Sequence, residues 1–272
     1  METSVGSEVA AALHNIALQA YYSYKGLFLW LNWTAYISNV FIAPVVFVVI
    51  VTLTGRFAGQ SDSANAYIIG MAAYAIPAIL SGGILQSFCY ERTFGTLSLI
   101  YASRSNRWVT YWSKGLLHYP NGLLAAATSL LFGWLLLDLD FSRLNWPALV
   151  VLLLVISFSC LCLCLFVGNF SIALREWIIP VGITNGLLLI TSGVVVPVDQ
   201  LPGFLGEIGR VVPLTHGLSA LREAFEGASL GDLVDDIVYE LVVGLCYLLA
   251  GGFLFSLLEA NAKRTGTYES AI

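Results

Sequence analysis

"TSGVVVPVDQLPGFLGEIGRVVPLTHGLSALREAF" occupies residues 191–225. It separates two apolar runs, so its reading decides how often the chain crosses a membrane and what lies between the last two crossings. Pro197, Pro202 and Pro213 interrupt it at intervals, and Gly227 just beyond is a helix stop signal. Phe204, Leu205, Ile208 and Val211 fall on one helical face, and Leu214, Leu218, Leu221 and Phe225 on another. Each helix is too short to span a bilayer. Arg222 and Glu226 are four residues apart, a spacing that lets them pair on the wet side. The expectation is a re-entrant helical hairpin on the outer side, marked by Pro202, Pro213 and Arg222.

Around this stretch the chain is strongly apolar. Of its 272 residues 58% are hydrophobic and 11% charged, where a soluble domain carries about a quarter charged. The class is therefore an all-α, polytopic membrane protein. Six runs approach the ~20 residues a crossing needs: 31–53, 66–88, 115–137, 147–168, 178–198 and 237–258. Lys25, Arg92, Arg104, Arg107, Lys114, Arg175, Lys263 and Arg264 fall on one side of these runs. Arg56, Arg143, Arg210 and Arg222 fall on the other, together with Asp138, Asp140, Asp199, Glu207, Asp232, Asp235 and Asp236. The excess of Lys and Arg puts both termini in the cytoplasm. All seven Trp (Trp30, Trp33, Trp108, Trp112, Trp134, Trp146, Trp177) sit at run ends, as an aromatic belt requires.

Upstream of the first run, Leu13, Ile16, Ala20, Tyr24, Leu27 and Phe28 recur at helical spacing from Ser7 onward. They predict an amphipathic helix on the cytoplasmic interface. A further short span is disfavoured by His14, Asn15, Gln19 and Lys25. The domain plan is 1–30 cytoplasmic N-terminus with the interfacial helix, 31–258 six-span domain and 259–272 cytoplasmic tail. The N-terminus lacks the basic start and continuous apolar core of a signal peptide.

The sequence offers little chemistry of its own. There is no G-x-x-x-x-G-K-[ST], H-E-x-x-H or G-x-S-x-G motif. Cys160, Cys162 and Cys164 read as buried small hydrophobes, since only Cys160 and Cys164 share a helical face and no His lies near. Cys89 and Cys246 also lie in or beside apolar runs, so no structural disulfide and no metal site is expected. His14, His118 and His216 fall in separate segments and read as solvated or interfacial. The runs read as lacking the mid-span acids and bases of ion-coupled carriers, so the energy source is expected outside the chain. Tyr74, Thr184 and Asn185 are neutral polar groups near mid-run. They either border a substrate route or bond neighbouring helices.

One connection gathers charge: "CYERTFGTLSLIYASRSNRW", residues 89–108, holds Glu91, Arg92, Arg104 and Arg107. Together with residues 191–225 it resembles the ABC-2 family of ABC exporter permeases, and the resemblance covers nearly the whole chain. Thr93 stands where the family often has a second acid, and Ser103-Arg104 where it often has Ser-Pro. The resemblance implies a permease of an ATP-driven exporter in a bacterial inner membrane, and no catalytic residue in this chain. It implies two copies of a separate ATPase subunit that hold the ATP and Mg, and a second permease chain, identical or related. The contact between permeases would use runs one and five, where Gly182, Gly186 and Gly193 allow close approach. It also implies a coupling helix in the 89–108 connection. There Phe94, Leu97 and Tyr101 would fill a groove on the ATPase. Glu91 and Arg92 would make charged contacts at its rim, and Gly95 and Thr96 would allow close approach. The substrate expected is a lipophilic, drug- or antibiotic-like small molecule. A lipid-linked glycan of the O-antigen, teichoic-acid or nodulation-factor type is the alternative. A membrane scaffold without transport is the reading from another class.

Overall fold

A computed structural model describes Tyr21 and residues 33–59, 64–96 and 107–265. All regular structure among the described residues is helical. The expected N-terminal amphipathic helix lies outside them, apart from Tyr21, which is helical and exposed. Helix α1 spans Trp33–Phe57 and α2 Ala64–Thr93. Helices α3 (Arg107–Leu116) and α4 (Tyr119–Leu137) follow, then α5 (Trp146–Leu174) and α6 (Ile178–Thr191). The chain ends with two short helices, α7 (Gly203–Val211) and α8 (Thr215–Phe225), and the long α9 (Val234–Thr265).

Among the described residues five helical stretches are long and apolar enough to cross a membrane: Trp33–Phe57, Ala64–Thr93, Trp108–Leu137, Trp146–Leu174 and Val234–Arg264. The run expected at 178–198 is different. Its helix covers only Ile178–Thr191, 14 residues or ~21 Å, short of the ~30 Å hydrocarbon core. Gly193 breaks it with φ +76°, a left-handed position that glycine takes without a Cβ penalty. Residues 192–197 then run on without helix. Continuous hydrophobicity does not separate a helix from buried irregular chain, which is why the run reads longer than the helix.

Helix α2 is the hub. It packs against α5, α4, α1 and α6, while α5 also packs against α9. The chain runs up and down between a proximal end, where α2 stops and α3 starts, and a distal end, where residues 138–145 and helices α7 and α8 lie. A π turn at Ser38–Ile42 precedes Pro44 in α1. Pro44 has no N–H to give to the Val40 carbonyl and its ring crowds that group, so the helix widens there. Gly70 in α2 is required by close approach, because any Cβ there would collide with the Val194 carbonyl oxygen of the irregular segment.

Three arginines fasten helix ends across the bundle. Arg56 of α1 donates to the Leu137 carbonyl at the end of α4 (2.6 Å). Arg92 of α2 donates to the Ile172 carbonyl in the last turn of α5 (2.6 Å). Arg222 of α8 donates to the carbonyls of Gly193 (2.8 Å), Val194 (3.3 Å) and Ala66 (3.3 Å). The carbonyls that Arg56 and Arg92 meet end a helix, where they lack intrahelical donors and carry partial negative charge; Arg222 instead meets two carbonyls of the non-helical segment after α6 and one in the first turn of α2. Arg222 therefore turns inward and does not pair with Glu226 on the wet side. Burial pulls its pKa below the ordinary arginine value.

Two acids of the distal connections build turns. Asp140 accepts from Ser142 N and Oγ (2.8 and 2.9 Å), and Asp232 from Ser229 N and Oγ (3.0 and 2.7 Å). These bonds favour the carboxylate and hold both groups below their ordinary pKa.

Candidate functional site

Five of the seven expected coupling positions, Glu91, Arg92, Phe94, Gly95 and Thr96, lie at the proximal end of α2. Its last turn closes on Gly95, which has φ +71°. Thr96 N donates to the Glu91 carbonyl (2.9 Å) and Gly95 N to the Arg92 carbonyl (3.2 Å). This pair of bonds is a Schellman stop with glycine at its left-handed position. Thr96 Oγ1 also reaches the Glu91 carbonyl (3.1 Å). The Phe-Gly-Thr of the sequence is thus first a helix terminator. Leu97 and Tyr101 lie outside the described residues.

The flanking charges are engaged within the chain. Glu91 forms an ion pair with Lys114 of α3, with the two side chains 17% and 2% exposed. The Lys114 ammonium also sits 4.9 Å from the centre of the Phe88 ring, a cation–π contact. Arg92 reaches α5, as above. Lys114 therefore does not act as a solvated loop charge. Phe94 is left pointing outward, 53% exposed, with its ring edge against Tyr90 at 5.4 Å. His118, expected to be solvated, is buried between α3 and α4 against Gly83.

At mid-bundle, α2 and α6 meet through polar groups. Tyr74 Oη donates to the Asn185 carbonyl (3.2 Å), and Ser81 Oγ to Asn185 Oδ1 (3.1 Å). Thr184 is buried beside them. Tyr74, Thr184 and Asn185 are thus brought together at one seam, and two of them bond helix to helix. The opposite face of α6 is open: a Cβ at Gly182 or Gly186 would meet nothing within 4 Å, and Ile179, Ile183 and Ile190 are exposed beside them.

At the distal end α7 and α8 form where the sequence places them. Leu214, Leu218, Leu221 and Phe225 are buried in the bundle, whereas Phe204 and Val211 of α7 are exposed. Pro202 precedes α7 and Pro213 lies in the turn between the two helices. The apolar runs also hold an acid that the sequence reading passed over. Glu240 of α9 is fully buried. It accepts from Leu214 N (2.6 Å), Gly217 N (3.0 Å) and Ser159 Oγ of α5. It satisfies two of the orphan N–H groups at the start of α8. A single acid inside "IVYELVV" was its signal. Nearby, His216 lies between Asp236 Oδ1 (3.3 Å) and the Arg210 carbonyl (3.2 Å).

Cys160, Cys162 and Cys164 are buried in α5, and all three lie among apolar neighbours of the core. Among the described residues no three His, Cys, Asp or Glu side chains gather as a metal site would need.

A family model described as "ABC-2 type transporter" matches residues 18–225. No curated protein matches the sequence.

Proposed function

Because the chain belongs to the ABC-2 type transporter family, whose members are membrane permeases that work with an ABC ATPase, we propose that it is the permease subunit of an ATP-driven exporter. The observation that carries this reading is the braced stop at the end of α2. An ATPase can move the spans only through an element that does not yield. Glu91–Lys114 ties α2 to α3, Arg92 ties it to α5, and the Gly95 stop leaves Phe94 outward on that rigid corner. In this reading Phe94, with Leu97 and Tyr101, fills a groove on the ATPase, Gly95 and Thr96 shape the approach, and Glu91 and Arg92 brace it from within. The proximal end is cytoplasmic, and the membrane is the bacterial inner membrane. Two ATPase copies carry the ATP and Mg, and this chain has no catalytic residue.

Helix α6 with the irregular segment 192–197 serves as the sixth crossing, and α7 with α8 forms a hairpin returning at the outer leaflet. Irregular backbone is tolerated at membrane depth where protein covers it, and Ser192, Gly193 and Val194 are buried. The open Gly182–Gly186 face of α6 takes a second permease chain, since small residues let helices approach closely. The route then runs along the α2–α6 seam, bordered by Tyr74, Thr184 and Asn185. The polar groups there bond one another and the flanking side chains are apolar, which favours a lipophilic small molecule over a glycan.

Phe94→Ala is the direct test. Truncating an aromatic anchor at an interface costs ~2 kcal/mol or more, roughly thirtyfold in affinity. The variant should insert normally and bring down far less ATPase subunit on co-purification. Wild-type recovery of the ATPase would remove Phe94 from the contact. A second variant, Asn185→Leu, loses the acceptor for Ser81 and should alter substrate-stimulated ATP hydrolysis by the assembled complex. Unchanged stimulation across several lipophilic compounds would reduce the seam to helix–helix bonding.

A further inference from the structure

Near the distal end the antiparallel helices α4 and α5 leave a cavity of about 490 Å³ between them. Its wall runs from Trp134 down to Ala127 on α4 and from Trp146 down to Leu153 on α5. Each wall runs over eight residues, about two helical turns or ~10 Å. Phe141, from the connection, stacks on Trp146 at 5.6 Å with an interplanar angle of 12° and lines the upper end. No charged side chain lines it.

We infer that this cavity holds one acyl chain of a phospholipid from the leaflet at the distal end. Four observations converge on that occupant. Both walls belong to helices long and apolar enough to span, so the surrounding medium at this depth is hydrocarbon. The cleft descends ~10 Å from a rim bearing Trp134 and Trp146, the residue type that settles at the headgroup boundary. One leaflet contributes about 15 Å of hydrocarbon, so the cleft reaches most of the way down a single leaflet and stops inside it. The volume lies within the roughly 300–1,000 Å³ of small-ligand sites, which suits one chain and excludes a second protein helix. At the top, Arg143 is exposed in the same short connection, a cation on the side where a lipid phosphate would lie. The inference does not depend on the transported substrate or on the direction of transport.

The test uses the full chain purified in detergent, with dioleoylphosphatidylcholine as the probe and native mass spectrometry as the readout. Wild type should retain one phospholipid per chain after mild delipidation and re-addition. Ala127→Phe places a ring in the cleft from an exposed position on α4, and Leu153→Trp does so from α5. Each should weaken retention about tenfold, the fold-change for ~1.4 kcal/mol. Leu136→Phe, exposed on the face of α4 opposite the cleft, should retain lipid as wild type does. The two filling variants sit on different helices, so misfolding of one leaves the other to decide. A phosphatidylcholine brominated high on its chain, level with the tryptophan rim, in liposomes of the wild-type chain, gives a measurement that needs no filling variant. Trp134 and Trp146 emission, taken as the difference from Trp134→Phe and Trp146→Phe, should be quenched more than the remaining tryptophans. Unchanged retention in both filling variants, equal loss in Leu136→Phe, uniform quenching, or a retained lipophile that phospholipid does not displace would each overturn the inference.

Discussion

Lys114→Ala is expected to destabilise the chain by about 3–5 kcal/mol, the usual cost of leaving one partner of a buried ion pair alone. Lys114 is 2% exposed and its carboxylate partner Glu91 is 17% exposed. Water therefore reaches Glu91 poorly once the ammonium is gone. The Phe88 ring, which faces the ammonium at 4.9 Å, would then face a cavity. Denaturant titration of the purified chain, followed by helicity, measures the loss. The double variant Lys114→Met/Glu91→Gln separates charge from shape: with no buried charge left, most of the stability should return. A loss below ~1 kcal/mol for Lys114→Ala would mean that the pair is solvated like a surface bridge. The same variant also distinguishes bracing from docking. If Glu91 acts by holding α2, Lys114→Ala impairs coupling even though Lys114 never meets the ATPase.

Glu240→Gln should be nearly as damaging, although it keeps the side-chain shape. A carboxylate only accepts hydrogen bonds, and Glu240 faces three donors: Leu214 N, Gly217 N and Ser159 Oγ. An amide brings an NH₂ that must face a backbone N–H. At least one buried donor goes unpaired, at about 1–3 kcal/mol. Glu240→Ala leaves both backbone donors unpaired, while Ser159 Oγ keeps the Ile156 carbonyl at 3.1 Å, and should cost more, about 2–6 kcal/mol for the two. Leu214 adds to the demand. Its φ of +87° is one that a branched side chain seldom takes, and the bond from its N–H to Glu240 helps hold it there. Hydrogen exchange localised to α8 reads the effect. Protection of Gly217 N in Glu240→Gln equal to wild type would show that another group caps this helix.

Helices α7 and α8 are legible in the sequence because two proline-bounded segments each carry one apolar face, and periodicity reports faces directly. Five of the six expected spans fall on long helices because an apolar run of ~20 residues reports a crossing by itself, and the helices differ from the expected bounds by up to seven residues, as at Trp108 against 115. What a period does not report is the partner. Glu91, Arg92 and Lys114 look like cytoplasmic charges by position, and only the fold shows that Glu91 and Lys114 satisfy each other and that Arg92 meets a carbonyl 80 residues away. Arg222 and Glu226 have good pairing spacing, yet the two carbonyls of the non-helical Gly193–Val194 turn are a stronger demand on a buried guanidinium than one exposed carboxylate. The length of α6 was misread because valine runs are apolar in any conformation; the Ser-Gly at residues 192–193 was the available warning.

The reach of Arg222 to Ala66 also has a meaning in time. The two residues are 156 positions apart, and a ribosome adding about 5–20 residues per second separates them by roughly 8–30 s. Over the last 29 residues of that interval, about 1.5–6 s, the turn after α6 is made while the guanidinium that meets its Gly193 carbonyl is not. A buried carbonyl without a partner costs several kcal/mol, so the turn cannot settle against α2 until Arg222 arrives. A chain stalled before residue 222 presents that turn unfastened to whatever machinery inspects nascent membrane proteins.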